Sequence, residues 1–314
     1  MRISVIITNY NYGHFLAECI ESAICQSRMA HEVIVVDDGS TDDSRSVLAA
    51  YEGRVIAITK SNGGQASAMN AGFSKSTGDV VVFVDADDKL MHNCLEEIER
   101  VWAHGAAKAH WRLRMIDASG RVLGQMPSGR WALSAGDVSY TQVTSYVVGP
   151  TTTGNAFARD FLEKVMPIPE VCFAISADSY LFARVPFFGP FVAIERELGF
   201  YRIHGGNNFA RQAQSAAKAR VILQQSEYIE RLIRSDAAKS GFAINEGYMY
   251  RNVGVVMARI RSYREKDGKH PISKDSLLRI LWVSLRLVVN PWGRSRLWRL
   301  GELVLCLRTM LNPN

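Results

Sequence analysis

The chain has 314 residues, 47% hydrophobic and 22% charged, with a formal net charge of +6. That balance excludes a disordered or fibrous protein and allows one large α/β domain with an appendage, or two domains. Five scattered cysteines (Cys19, Cys25, Cys94, Cys172 and Cys306) include no CxxC pair, which points to reduced thiols and away from a zinc site.

Charge is unevenly spread. Residues 251–314 carry 13 Lys/Arg against 4 Asp/Glu, whereas residues 1–250 carry 24 against 27. A basic tail suits nucleic acid, an anionic membrane surface, or neither. The opening MRISVIITNYNYG lacks the pattern of a secretory leader, and no run of 18 uncharged apolar residues occurs. A cytoplasmic location without a spanning helix is therefore expected.

In chain order, ISVIIT reads as a strand and HFLAECIESAICQ as an amphipathic helix with Leu16, Ile20 and Ile24 on one face. EVIVVDD is a second buried strand, and STDDSRSVLAAY opens a helix with Ser40 or Thr41 as its cap. VIAITK, GQASAMNAGFSKS and DVVVFVDADD continue as strand, helix and strand. This alternation predicts a mostly parallel sheet with helices on both faces, with ligands at the carboxyl ends of its strands. Those ends are TNYN, DDGS, TKSNGG and DADD: polar, Gly-rich and acidic.

From about 105 to 205 the alternation loosens. HWRLRMID and GRVLGQM suggest a hairpin around Ser119-Gly120, VVGPTTTGNAFAR leads into a helix, and ISADSYLFARV is helical. Beyond about 210 the pattern is helical, with two further helices expected around Pro291-Trp292-Gly293.

The chemistry concentrates in VVVFVDADD. Asp85 and Asp87 would share one side of the strand if extended geometry persists. Paired carboxylates repel, and a hard divalent cation such as Mg²⁺ or Mn²⁺ relieves that repulsion. Taken alone, the three acids fit a solvated loop equally well. Tyr10 can stack on a nucleobase while Asp38 accepts its ring N–H; capping the next helix is the plainer use of Asp38. No GxGxxG or GxxxxGK[ST] loop is present.

SVIITNYN, EVIVVDDGSTDDS, NGGQASAMNAG, GDVVVFVDADD and GFYRIH occur in the order and spacing that resemble family 2 glycosyltransferases, over roughly residues 3–205. The resemblance implies an α/β GT-A fold: a Rossmann-like nucleotide-binding sheet (donor half about 1–104) joined to an acceptor-binding half (about 105–208). A helical, basic region (209–314) would follow. It implies an inverting enzyme that transfers sugar from a nucleotide-sugar, UDP-linked by default, using Mn²⁺ or Mg²⁺ held by a DxD motif.

By position, Thr8, Tyr10 and Asp38 would bind the base, and Lys60, Asn62 and Asn70 would lie near the ribose and diphosphate. Asp87 would hold the metal, with Asp85 on ribose or metal-bound water and His204 on metal or diphosphate. Asp88, Gly154 and Asn155 would belong to the donor and acceptor loops. Asp178 matches the family's base, although Ala177 replaces the Glu that usually precedes it. For Asp178 and His204, a helix-terminal acid and a structural histidine are the alternatives. The QxxRW and membrane spans of processive relatives are missing, because Arg130-Trp131 lacks the Gln and precedes Asp178. One sugar per encounter is therefore expected.

In the tail, Trp282, Trp292 and Trp298 with interspersed arginines suit an interfacial helix and a lipid-linked glycan acceptor. A helical bundle covering the core is the alternative. Competing readings are a nucleotidyltransferase of GT-A-like fold and a non-catalytic protein with a basic binding surface; nucleic acid is not expected as a partner.

Overall fold

The computed structural model describes residues 1–102, 105–126, 151–207, 215–241, 253–265, 267, 269–289 and 304. The described residues through His204 belong to one compact unit and those from Gly205 onward to a second.

The first unit begins with β1 (Ile3–Asn9), α1 (Gly13–Ile24), β2 (Glu32–Asp37), α2 (Ser44–Ala49), β3 (Ile56–Thr59), α3 (Gln65–Lys75) and β4 (Val80–Asp85). It continues with β5 (Lys89–Leu90), α4 (Cys94–Val101), β6 (Lys108–Asp117), β7 (Val122–Met126), β8 (Asn155–Ala158), α5 (Arg159–Val165), α6 (Asp178–Arg184) and β9 (Phe191–Ile203). Among the described residues the strand order is β3-β2-β1-β4-β8-β6-β9-β5, with β7 on β6. The pairs β1–β2, β1–β4 and β2–β3 are parallel.

All seven residues of β1 are buried, as a continuous apolar run covered on both faces should be. Ile3, Val5 and Ile7 pack with Leu16, Cys19 and Ile20 of α1 in one core cluster. Ile6 faces α3, where a Cβ on Gly72 would meet Ile6 Cγ2 at 2.3 Å. Only a residue without a side chain lets the helix lie this close to the sheet. Each fully buried Val or Ile contributes about 1.5–3 kcal/mol of transfer free energy. β3 is the sheet edge and leaves Ile56 exposed.

The parallel half meets an antiparallel one at β4–β8. The hairpin expected around Ser119-Gly120 is present as β6–β7, and β9 runs parallel to β6. Two expectations need correction, and one stretch left unassigned gains an element. The start of α2 is held by Asp42 rather than Ser40 or Thr41: Asp42 Oδ1 accepts from Ser44 N at 3.0 Å, while Ser40 Oγ accepts from Asn11 N at 2.9 Å. The strand of the DADD stretch ends at Asp85, where Asp88 N donates to Asp85 O at 2.9 Å. Asp85 and Asp87 are therefore related by a turn and not by strand alternation. The stretch FVAIERELGFYRI, given no element above, is the 13-residue strand β9.

The second unit contains α7 (Ala216–Ser240), α8 (Val253–Arg264) and α9 (Leu277–Val289). Ser215 Oγ caps α7 by accepting from Lys218 N, and Gly241 ends it at φ +72°. Ala219 and Leu223 pack with Val255 and Ala258, while Val256, Met257 and Ile260 pack with Ile280 and Val283. Buried Arg259 pairs with Asp275, which also bonds His270 Nε2 at 3.0 Å; His270 Nδ1 is 2.9 Å from Ser262 Oγ. Among the described residues no helix is long and apolar enough to cross a membrane. Arg130-Trp131, Pro291, Trp292, Gly293 and Trp298 lie outside the described residues.

Candidate active site at the strand ends

The carboxyl ends of β1, β2 and β4 bring two groups of polar residues to one end of the sheet. The first is built on Asp38, just after β2. Its buried carboxylate accepts from Lys60 Nζ at 2.6 Å, Gly63 N at 3.1 Å and Gly64 N at 2.7 Å. Asp38 thus shapes the loop between β3 and α3 and neutralises Lys60. Tyr10 is 46% exposed at the tip of β1, leaving its ring face available for stacking. Asn62 is exposed in the same loop. Its backbone N lies 2.7 Å from where a Cβ on Gly39 would stand.

The second group is acidic. Asp85 Oδ1 accepts from Gln65 Nε2 at 3.1 Å and from Thr8 Oγ1 at 3.4 Å. Burial, reinforced by the charges of Asp87 and Asp178, pushes the Asp85 carboxyl up to about 7. Asp87 Oδ2 lies 3.0 Å from His204 Nε2, and the His204 ring packs against Tyr12 and Phe15.

Asp88 faces the protein interior. Thr153 Oγ1 donates to its Oδ2 at 2.6 Å, and Arg202 N donates to its Oδ1 at 2.9 Å. Burial, then the Asp87 and Asp85 charges, pushes Asp88 well above the usual carboxylate range. Arg202 fastens the same turn from β9: its Nε donates to Asp87 O at 2.9 Å, and its guanidinium pairs with Glu18 and covers the Phe15 ring.

Asp178 opens α6, and its position is set by a segment that wraps the start of α3. Gly64, at φ +83°, leaves α3 without a side-chain cap. Carbonyls of Ala174 and Phe173 accept from Gln65 N at 2.8 Å and Ala66 N at 3.2 Å instead. A Cβ on Gly64 would meet Ala174 O at 2.6 Å. Ala177 N then donates to Gln65 Oε1 at 2.9 Å. Burial raises the Asp178 carboxyl, opposed by the Ser179 backbone N–H, the Lys108 charge and the Thr152 hydroxyl. Lys108 is fully buried, with Nζ 4.3 Å from the centre of the Phe182 ring one turn along α6. Burial drives its amine well below the usual lysine range.

Thr8, Asp85, Asp87, His204 and Asp178 therefore belong to one electrostatically coupled cluster, with Asp38, Lys60 and Tyr10 on the neighbouring loops. Other sequence candidates do different work. Asn70 clamps the loop after α5, with Nδ2 on Ile168 O and Oδ1 on Ile168 N, both at 2.8 Å. Asn155 is wholly buried and closes the turn Thr152–Gly154 through Thr151 O at 2.5 Å. Sequence reasoning assigned no role to Gln65, Thr152, Thr153, Lys108 or Arg202. Gln65 and Arg202 lie inside the quoted motifs and Thr152 and Thr153 inside VVGPTTTGNAFAR, whereas nothing in the sequence marks Lys108.

Among the described residues no three His, Cys, Asp or Glu side chains form a closed metal cluster. The Asp87–His204 pair is one hard carboxylate and one imidazole, a donor set that suits Mn²⁺ or Mg²⁺ when substrate oxygens and water complete the coordination. The residues present fit an open site of that kind.

Comparison with known proteins agrees with the fold. The model of glycosyl transferase family 2 matches residues 4–164. An uncharacterized glycosyltransferase of Nostoc sp. is 32% identical over 312 residues, covering 96% of this chain and 94% of that protein. Glycosyltransferase GlyG of Streptococcus pneumoniae is 39% identical over 100 residues, or 31% of this chain and 33% of GlyG. Residues 1–349 of S. aureus TarS superpose with a TM-score of 0.58 at 15% identity, covering 99% of this chain and 90% of that one. The same TarS fragment in complex with UDP-GlcNAc gives a TM-score of 0.57 at 16% identity, covering 99% and 91%. The fold is GT-A, with helices following it.

Proposed function

This chain belongs to glycosyl transferase family 2, and from that premise we propose that it transfers one sugar from a nucleotide-sugar to an acceptor hydroxyl with inversion. The observation that carries the reading is the Asp87–His204 pair beside Asp85, with Asp178 coupled to the same cluster.

In this reading residues 1–104 form the donor half and 105–208 the acceptor half. Tyr10 stacks on the base, uracil by preference, and Thr8 and Asp38 line its edge. Lys60 and Asn62 lie toward the ribose and diphosphate, and Asn70 supports them through the Ile168 loop. Asp87 and His204 hold the divalent cation, with Asp85 on ribose or metal-bound water. When bound, that cation neutralises charge growing on the departing diphosphate.

The acceptor hydroxyl gives its proton to an Asp178 carboxylate oxygen as its own oxygen bonds to C1 of the sugar. The bond from C1 to the diphosphate oxygen breaks, and its electron pair leaves with the nucleoside diphosphate. A carboxyl raised by burial is a stronger base than an exposed one, which suits Asp178 to this role. Asp88 and Asn155 hold the loops on which these groups ride.

The acceptor is a lipid-linked or cell-envelope glycan, reached through peripheral contact of the helical region with the inner face of an anionic membrane. Leu278, Trp282 and Leu285 of α9 are exposed at helical spacing, within a strongly basic stretch of sequence.

The test is a panel of UDP-, GDP- and dTDP-sugars offered with Mn²⁺ and lipid-linked acceptors, with the product's anomeric configuration read by NMR. One donor should yield a product inverted at C1. Retention at C1, or nucleotidyl transfer in place of sugar transfer, would overturn the reading.

A further inference from the structure

Gln65 uses every hydrogen bond its side-chain amide donates, and one that it accepts, on the groups assigned to the two halves of the reaction. Nε2 donates to Asp85 Oδ1 at 3.1 Å and to Thr152 Oγ1 at 3.0 Å, and Oε1 accepts from Ala177 N at 2.9 Å. Asp85 ends β4, Thr152 opens the turn before β8, and Ala177 immediately precedes Asp178. Three segments remote in sequence are thus held by one side chain.

Its own placement is fixed. Gln65 is the first residue of α3, and its backbone N–H is bonded to Ala174 O at 2.8 Å. Because Thr152 Oγ1 accepts from Gln65, its hydroxyl hydrogen is directed elsewhere.

We propose that Gln65, acting with Thr152, is a positioning residue that fixes the base Asp178 relative to the donor-side Asp85. The inference rests on the glycosyltransferase reading of the site. An inverting displacement needs its base and its leaving group on opposite faces of one sugar ring, so their separation must be set before the substrates meet. The residue before Asp178 is Ala177, whose side chain offers no polar group, and its backbone N–H is anchored to Gln65.

The experiment compares wild type, Gln65→Met, Thr152→Val and the double variant, measuring kcat and donor KM at saturating Mn²⁺ and melting temperature on the same samples. Gln65→Met keeps the side-chain length and removes all three bonds. Its kcat should fall roughly 10- to 100-fold, the loss expected of a misplaced catalytic group, with donor KM changed less than about threefold. Thr152→Val should lower kcat in the same way, and the double variant should be little slower than the worse single one, because the two side chains act as a unit.

Should Gln65→Met fail to fold, Thr152→Val carries the test alone through its split between kcat and KM. Wild-type kcat in either folded variant, or losses that multiply in the double variant, would overturn the inference while leaving the glycosyltransferase reading intact. A wild-type chain that transfers no sugar would overturn that reading and this inference with it.

Discussion

His204 Nε2 lies 3.0 Å from Asp87 Oδ2, so the last residue of the first unit closes onto the turn that follows β4. Tyr12 and Phe15 pack on the imidazole. Replacing His204 by Ala should weaken Mn²⁺-supported donor binding about 10- to 100-fold, the usual cost of disturbing a metal's surroundings. Without Mn²⁺, wild type and variant alike should fail to bind donor. Calorimetric titration of donor with and without Mn²⁺ checks both statements.

Asp178→Asn should lower kcat roughly 10²- to 10⁴-fold, the range of general-base catalysis, with donor affinity retained. The active form of Asp178 is the carboxylate. Since burial raises its pKa, activity should fall as pH drops through a value above the ordinary range for Asp, and should be fully present on the alkaline side. A pH–rate profile of wild type should show that acid limb, and residual activity of Asp178→Asn should show only the part that Asp85 contributes.

Asp88 is a prediction about folding. Its carboxyl receives the Thr153 hydroxyl at 2.6 Å and the Arg202 N–H at 2.9 Å, all in buried surroundings. Asp88→Ala would leave both donors unpaired, for a loss of about 1–3 kcal/mol. Denaturant titration should place its midpoint below that of wild type. A midpoint at the wild-type value would show that the turn does not depend on this carboxyl.

In the helical unit, Asp275→Ala should destabilise by about 3–5 kcal/mol, because it leaves the buried Arg259 guanidinium without its carboxylate. Replacing both residues by apolar ones of similar volume should restore much of that loss. Thermal melts of the single and double variants test the sign of the difference.

Leu278, Trp282 and Leu285 should govern attachment to membranes. Wild type should co-sediment with vesicles containing phosphatidylserine and release at high salt, as a basic surface requires. Trp282→Ser should reduce the bound fraction severalfold without loss of donor binding.

Much of the parallel half could be read in the sequence because its signals are local: apolar runs ending in TNYN, DDGS and DADD mark strands whose ends form a crevice. β9 was harder. Its buried pattern is interrupted by Glu195, Arg196 and Glu197, of which Arg196 pairs with Glu97 on α4 and Glu197 with Arg114 on β6, which no local pattern reveals. The same holds within the site. Asp85, Asp87 and His204 stand out as residue types, whereas Asp88 looks like a residue of the donor and acceptor loops until Thr153 and Arg202 are seen to use it. Asn70 looks like a ligand contact until Ile168 is seen to take both ends of its amide. Gln65 and Thr152 acquire a role only when residues 65, 85, 152 and 177 are brought together by the fold.

The central claim is metal-dependent use of a nucleotide-sugar through Asp87. It is tested most directly by isothermal titration of wild type and Asp87→Ala with UDP and UDP-sugars, each with and without Mn²⁺. The expected result is binding by wild type that requires Mn²⁺ and is lost in Asp87→Ala. Equal binding without metal, or undiminished binding by the variant, would contradict it.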